Sequence, residues 1–568
     1  MVSVGKKDGI ELMSAEFLCQ VDHLAHRDGA IFGFGWAIDG EGPFRRGSLK
    51  LTFADGKTEL IHVLINRDRK DVAASFPQYP HSAKSGFMFL AGWAGMAPIG
   101  AQLEFISVSG GSQVTNLAVE LDSNQTGRQG IKIQVLFERA RRMLRQGDFK
   151  GLWSKTLRFR DAGGFAREGT EAEILSLLGN NLIRLVIDHS MGGGANVYRE
   201  RQVQGWLANS EDSVVLLTFS LKYMDFILEI HANGKFFRRR IHDFNVLASV
   251  FLQVRLREVF INCLVSLPSL PELEKAVYRW VKASNAHLIV AIHEYFVICP
   301  SHFLLDWQGR YCGIPESIAD CQRCLNQHRD GFVSLAGNKS ILQWRKVWGG
   351  LLKAADEIRC FSASSIGLVQ KVYPDLNHQL TLTPHSVEKL RKPNIPLPTV
   401  DKELVIGVVG SITEHKGALV LGELADAIVQ SGAAVRLVIL GVLDASITID
   451  GLTETGLYEL QSLPELMEKM GIHLALMPSV CPETFSFVTH ELILMQVPIA
   501  CFGLGAQGEI VARYSLGHIL SARNGVGILE ELMAFGREIP HRISTQTNTW
   551  DCNLGNGYSS DCEGYARS

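Results

Sequence analysis

The stretch Pro478-Ser479-Val480-Cys481-Pro482-Glu483-Thr484-Phe485-Ser486-Phe487-Val488-Thr489-His490-Glu491 decides how the rest of the chain is read. Glu483 and Glu491 stand eight positions apart, and an apolar run leads on to Gly503-Leu504-Gly505-Ala506-Gln507-Gly508-Glu509. If Thr484–Met495 is helical, that spacing is just over two turns and both carboxylates lie within one face's width. Glu483 is then expected at the helix N-terminus, where free N–H groups and the positive dipole end can also hold an anion. Amides suited to phosphates and carboxylates suited to hydroxyls would meet there. The plain alternative is that Glu483 caps a helix and Glu491 is solvated or paired.

Upstream of this stretch, Leu404-Val405-Ile406-Gly407-Val408-Val409-Gly410 reads as a buried strand. Ser411-Ile412-Thr413-Glu414-His415-Lys416-Gly417 follows, with a helix expected near Ala418. A glycine turn at Gly410 and a lysine before a helix can neutralise a diphosphate. A comparable step occurs earlier, where the strand Leu182–His189 runs into Ser190-Met191-Gly192-Gly193-Gly194-Ala195-Asn196 and a helix near Val197. Gly192, Gly193 and Gly194 let backbone approach a ligand, but the spacing is not G-x-G-x-x-G, so no dinucleotide pocket is implied. Further strands at 213–219, 258–262 and 287–292 alternate with helical stretches, as in a doubly wound sheet. The last ends in His293-Glu294-Tyr295, which puts His293 at a strand's C-terminal end, where open α/β sheets bind ligands. The proline-rich segment Lys392–Pro398 separates the two α/β regions.

Composition sets the outer bounds. The 568 residues suffice for three or four domains, and 46% hydrophobic with 20% charged residues is ordinary for globular protein. A net charge of -3 argues against a chain-wide nucleic-acid binder. No apolar run approaches a membrane span, and Met1–Asp8 lacks the apolar core of a secretory leader, so a reducing cytoplasm is expected. Residues 16–122 read as short strands split by Asp39-Gly40, Asp55-Gly56 and Gly110-Gly111, which suggests a β-sandwich. Trp36 there is either core or a platform for a sugar ring. From 130 to 160, Lys132, Arg139, Arg141, Arg142 and Arg145 accompany a helical apolar period, so the helix either lies on anionic lipid or is a solvated linker.

Cys299, Cys312, Cys321 and Cys324 form a separate pattern, ending in C-x2-C. Four thiolates can close a tetrahedral structural zinc site around a loop with little core of its own; free buried thiols are the alternative. Four cysteines leave no open position for catalysis.

The segment from Pro478 to Glu491 resembles the E-x7-E motif of retaining, group 1 (family 4) glycosyltransferases, and the likeness runs over residues 181 to about 535. Gly35-Trp36, Arg69-Lys70-Asp71-Val72 and Gly86-Phe87 resemble an accessory β-domain found beside some bacterial glycosyltransferases. The resemblance implies an α/β GT-B fold: two Rossmann-like domains preceded by an all-β sandwich domain (1–122) and a basic helical linker (123–180). The N-terminal, acceptor-side domain would span 181–392 with the Cys-rich loop 299–324, and the donor-binding domain 393–540. A flexible tail (541–568) would take the place of the helix that commonly crosses back onto the first domain. The implied activity is metal-independent transfer of a hexosyl unit from a nucleotide-sugar to a glycan or lipid-linked acceptor, in bacterial surface polysaccharide synthesis, by a cytoplasmic protein peripheral to the inner face of the membrane. Glu483 and His293 would act on the transferred sugar. Gly192, Gly193, Gly194, Gly410, Lys416, Thr484, Phe485 and Glu491 would bind the donor. No catalytic cofactor is implied. Ser411 stands where the family usually has arginine, so phosphate charge would rest more on Lys416. That departure and the polar tail keep two alternatives open: a non-catalytic glycan-binding protein and a GT-B sugar-nucleotide epimerase.

Overall fold

The computed structural model describes residues 17–117 and 167–545, apart from 28, 41, 94, 269, 338, 339, 377, 400, 401, 444–448, 450 and 451. These fall into two compact units. One is the described part of Met1–Trp153 with Arg329–Leu335; the other is the described part of Ser154–His328 and Ala336–Ser568. The expected basic helix at 130–160 lies outside the described residues, as do residues 546–568 of the expected tail. No helix among the described residues is long and apolar enough to cross a membrane.

The first unit is all-β. Strands β1 (Leu18–Arg27), β2 (Ala30–Ile38), β3 (Phe44–Thr52), β4 (Thr58–Arg67), β5 (Gly86–Gly92), β6 (Gly100–Ser107) and β7 (Ser112–Leu117) pair antiparallel in the order β1-β2-β5-β4-β3-β6-β7. The expected all-β domain is present, and its sandwich is realised in part, as one continuous antiparallel sheet that curls over a single core. In a flat sheet β5 and β6 would be about 14 Å apart, yet the Phe87 and Phe105 rings lie 5.2 Å apart. Register shifts between Phe44 and Arg46 and between Leu64 and Arg67 supply the bend. Alternation chooses the inner face: Ala101, Leu103 and Phe105 of β6 are buried, while Gln102 and Glu104 are not. Trp36 is core, packed 5.1 Å from Phe76. The short helix Gly331–Leu335 completes this unit, where the Ser334 hydroxyl donates to the Gly92 carbonyl and accepts from its N–H.

The second unit holds two α/β lobes. The sheet of the first is built from β8 (Arg167–Glu168), β9 (Leu182–Asp188), β10 (Ser213–Ser220), β11 (Asp225–Ala232), β12 (Lys235–Ile241), β13 (Arg255–Ile261), β14 (His287–Ala291), β15 (Glu357–Cys360) and β16 (Leu380–Leu382), in the order β16-β15-β14-β13-β9-β10-β11-β12-β8. The central strands are parallel and apolar on both faces, as helices on either side require. The lobe's described part opens at Arg167, not 181: β8 pairs with β12, and the helix Glu171–Leu178 buries Ile174 and Leu178. The β11–β12 hairpin went unread in the sequence, although Asn233 and Gly234, both at positive φ, form its turn.

The second lobe is wholly parallel: β17 (Leu404–Ile412), β18 (Val435–Leu443), β19 (Thr453–Glu454), β20 (Leu474–Met477), β21 (Ile499–Phe502) and β22 (Gly517–Leu520), in the order β19-β18-β17-β20-β21-β22. Its last helix, Gly525–Thr545, runs past the expected boundary at 540. The helix buries Leu532, Phe535 and Ile539 in the core formed by Leu404, Ile406 and Leu421.

Candidate functional site

Each lobe reverses its winding once. In the first, β9 lies between β10 and β13, and in the second β17 lies between β18 and β20. Crevices at the C-terminal ends of such strands are where open α/β sheets bind ligands. The first crevice gathers Asp188 and His189 from the end of β9, Asn262 and Cys263 after β13, and His293 and Glu294 after β14. The second gathers the turn Thr413–Gly417 after β17, Pro478–Ser486 after β20, and Gly503–Gly505 after β21.

The two crevices face one another. Across the gap the Thr484 hydroxyl donates to the His293 carbonyl oxygen at 2.7 Å, and the Ser365 hydroxyl donates to the Thr484 carbonyl at 3.3 Å. The Ser364 N–H, in the first turn of the helix Ala363–Val372, donates to Glu509 at 2.7 Å. A side chain at Gly194 would begin 3.2 Å from Phe487.

The helix in the key stretch spans Phe487–Leu494, not Thr484–Met495, so Glu483 precedes it instead of sitting in its first turn. Glu483 is held through its backbone: its N–H donates to the Gln507 side chain at 3.1 Å, and its carbonyl accepts from Ala506 N–H at 2.9 Å. Glu491 is inside the helix and 7% exposed. Its carboxylate has no hydrogen-bond or ion-pair partner among the described residues. Burial pushes its pKa up to about 7, with repulsion from Glu388 adding to the effect. The side chains of Thr484 and Phe485 serve packing between the lobes. Thr484 is spent on His293, and the Phe485 ring stacks on His490 at 4.1 Å and meets His385 at 4.8 Å.

Lys416 is brought to the same stretch by its turn. Val480 N–H donates to the His415 carbonyl at 3.1 Å, and Gly417, at φ 90°, leaves room for the Pro478 carbonyl, which a β-carbon would meet at 2.0 Å. Lys416 has no ion-pair partner among the described residues. Gly410 is inside β17, not in the turn, registered against Gly441. In the first crevice Gly192 and Gly193 both take positive φ, and Gly193 caps the helix Gly194–Asn209.

His293 is held as a neutral ring. Its Nε2 is 2.9 Å from Asn262 Oδ1, while the Asn262 amide donates to the Ala195 carbonyl, so the imidazole is the donor in that pair. Burial lowers its pKa well below the usual value, with His385 and His189 adding to this. Nδ1 is left as an acceptor, which fits a role in positioning a hydroxyl better than proton donation. Phe361 stacks on His293 at 4.5 Å and on His385 at 4.1 Å.

Sequence reasoning missed a buried polar network beside His293. Asp188 accepts from Arg199 and Asn196, both at 2.8 Å, and the Cys263 thiol donates to Glu294 at 2.6 Å. Burial pushes Glu294 up to about 7 against the pull of that thiol. Part of the signal was available: Asp188, Cys263 and Glu294 lie at or just after the ends of strands read correctly from their apolar runs, whereas Asn196 and Arg199 come from the helix Gly194–Asn209. Among the described residues Asp188, His189 and Cys263 bring three possible metal-ligand atoms together. Hydrogen bonding works against that use. His189 Nδ1 accepts from Met191 N–H at 3.1 Å, which places the ring proton on Nε2, and Asp188 is already engaged. The four cysteines at 299–324 lie apart from this network, in the loop after β14, and none is in a disulfide.

No known protein-family model matches the chain, and no curated protein matches it. Among solved structures it is similar to Anabaena Alr3699/HepE in complex with UDP and glucose, at 15% identity, 64% coverage of this chain and 92% of that one, with a TM-score of 0.39. It is also similar to a glycosyltransferase from Rickettsia africae ESF-5 (12% identity, 67% and 96% coverage, TM-score 0.40) and to Acinetobacter baumannii MurG (12%, 66% and 99%, 0.28). These likenesses are too slight to carry any residue or ligand across.

Proposed function

We propose that this chain is a glycosyltransferase that moves a sugar from a nucleotide-sugar donor to a glycan or lipid-linked acceptor, retaining anomeric configuration. The observation that carries the reading is Glu491: a carboxylate 7% exposed, without a hydrogen-bond partner among the described residues, eight positions after the Glu483 that lies on the facing lobes' border. The Glu491 oxygens are not among the fully enclosed unpaired polar atoms of the described residues, so the carboxylate opens outward, where a ligand can take the place of water. Donor ribose hydroxyls would do so. Lys416 and the Gly192–Gly194 loop would carry the diphosphate leaving group, so that no divalent metal is needed. Glu483 would hold hydroxyls of the transferred sugar, with His293 Nδ1 accepting one more. Neither glutamate is assigned as nucleophile.

The test is a screen of UDP-, GDP- and dTDP-sugars by thermal shift, followed by mass detection of product with and without acceptor. One donor family should stabilise the chain, and transfer should require acceptor. Stabilisation by no donor would favour a glycan-binding protein with a decayed cleft. Conversion of donor without acceptor would favour an epimerase.

A further inference from the structure

We propose that Cys299, Cys312, Cys321 and Cys324 hold a structural Zn2+ that braces the loop between β14 and the helix Ile341–Ala354. All four line one cavity of about 450 Å³. They come from separate pieces of chain: Cys299 after the short turn Tyr295–Val297, Cys312 beside the bridge between Leu305 and Tyr311, and Cys321 with Cys324 one turn apart on the helix Ile318–Gln327. Residues one turn apart share a helix face.

Three further observations point to an ion. First, the loop has little core of its own: between 299 and 327 only Pro300, Leu304, Ile314 and Leu325 are buried apolar residues. Second, Leu304 and Ile314 both take positive φ, at 56° and 53°, a costly conformation for large side chains that persists only where other bonds hold it. Third, Arg345 reaches into the cavity with no carboxylate partner among the described residues. It donates to the Cys321 sulfur at 3.6 Å and to the Ile298 carbonyl at 3.2 Å. A zinc with four thiolates carries two negative charges, and an unpaired guanidinium against one sulfur offsets part of them.

Zn–S bonds of about 2.3 Å put tetrahedral sulfurs nearly 4 Å apart. Among the described residues only Asp188, His189 and Cys263 bring three donor atoms within 4.8 Å, so the four sulfurs stand wider than a closed site and must turn inward on the ion. The brace has a consequence across the crevice. Phe303, inside the loop, stacks on His415 with ring centroids 3.9 Å apart, and His415 precedes Lys416.

Metal content of the full chain, purified without chelator and re-exposed to Zn2+, tests this by elemental analysis and by mercurial release into a zinc-binding dye. About one zinc per chain is expected, released as the thiols are blocked. Cys321→Ser with Cys324→Ser should abolish retention. Arg345→Gln, which leaves all four thiols, should lose zinc to a chelator roughly ten-fold more readily, as expected for an outer-shell partner. Should the double variant fail to fold, the wild-type zinc content and Arg345→Gln still decide. Zinc below about half an equivalent per chain, a disulfide among the four, or iron with sulfide in place of zinc would overturn the assignment.

Discussion

The Thr484 hydroxyl donates to the carbonyl oxygen of His293 at 2.7 Å, joining the segment after β20 to the end of β14. This bond sets the position of Glu483, one residue before, against the first lobe's crevice. A neutral His293 ring is held on the other side of the same peptide by Asn262. One contact therefore joins the two lobes and brings the residues proposed to hold the sugar side by side.

Replacing Thr484 by Val keeps the shape and removes the donor. The buried carbonyl is left unmatched, at a cost of about 1–3 kcal/mol. Denaturant unfolding should show that loss, and transfer should fall because Glu483 is no longer registered to His293. Full activity at unchanged stability would mean the contact is incidental.

Glu491 makes stability and donor binding respond to pH in opposite directions. Its pKa is raised from 4.5 to about 7 in the folded chain. Between those values the folded state keeps a proton that the unfolded state has lost, so this group's contribution to stability falls as pH rises through the window and is level above it. Glu491→Gln should be more stable than wild type at pH 8 and nearly equal near pH 4.5. On the proposed role of Glu491 toward donor hydroxyls, binding needs the ionised carboxylate, so wild-type affinity should rise through pH 7, and the variant should bind donor weakly at every pH. Calorimetric melting and titration across pH 5–8 read both trends.

Lys416 carries a charge that no described residue matches. Lys416→Ala should weaken binding of a nucleoside diphosphate about 10- to 100-fold, the worth of one charge-assisted hydrogen bond. A nucleoside without phosphates should bind the variant and wild type alike. Equal losses for both ligands would place Lys416 away from the diphosphate.

Two glycines separate backbone conformation from crowding. Gly192 has φ 87° with open space where a β-carbon would stand, whereas Gly417 has φ 90° and the Pro478 carbonyl at 2.0 Å. Gly192→Ala should cost about 1–2 kcal/mol from conformation alone. Gly417→Ala must also push the turn off the Pro478 segment, so its thermal midpoint should fall further and Lys416 should lose its place. Equal midpoints would show that the turn moves freely.

The apolar strands were legible because a run such as Leu182–Ile187 or Leu404–Val409, buried on both faces, has little alternative. Glycine turns and the spacing of Glu483 and Glu491 were legible for the same local reason: they are properties of a few neighbouring residues. The sequence by itself thus determined two successive doubly wound regions, a β-rich first part and a polar stretch at each strand end. It left open how the first sheet closes, since two stacked layers and one curled layer share the same alternation and differ only in register shifts. Where the key helix begins was also hidden, because Thr484 and Phe485 favour inter-lobe contacts over a first helical turn. Only the tertiary structure decided that His293 is a desolvated acceptor, that Cys263 and Glu294 share a proton-bearing contact, and that Glu491 is buried without a partner. Each depends on residues far apart in the chain, and burial with its change in electrostatic surroundings exists only once they are brought together.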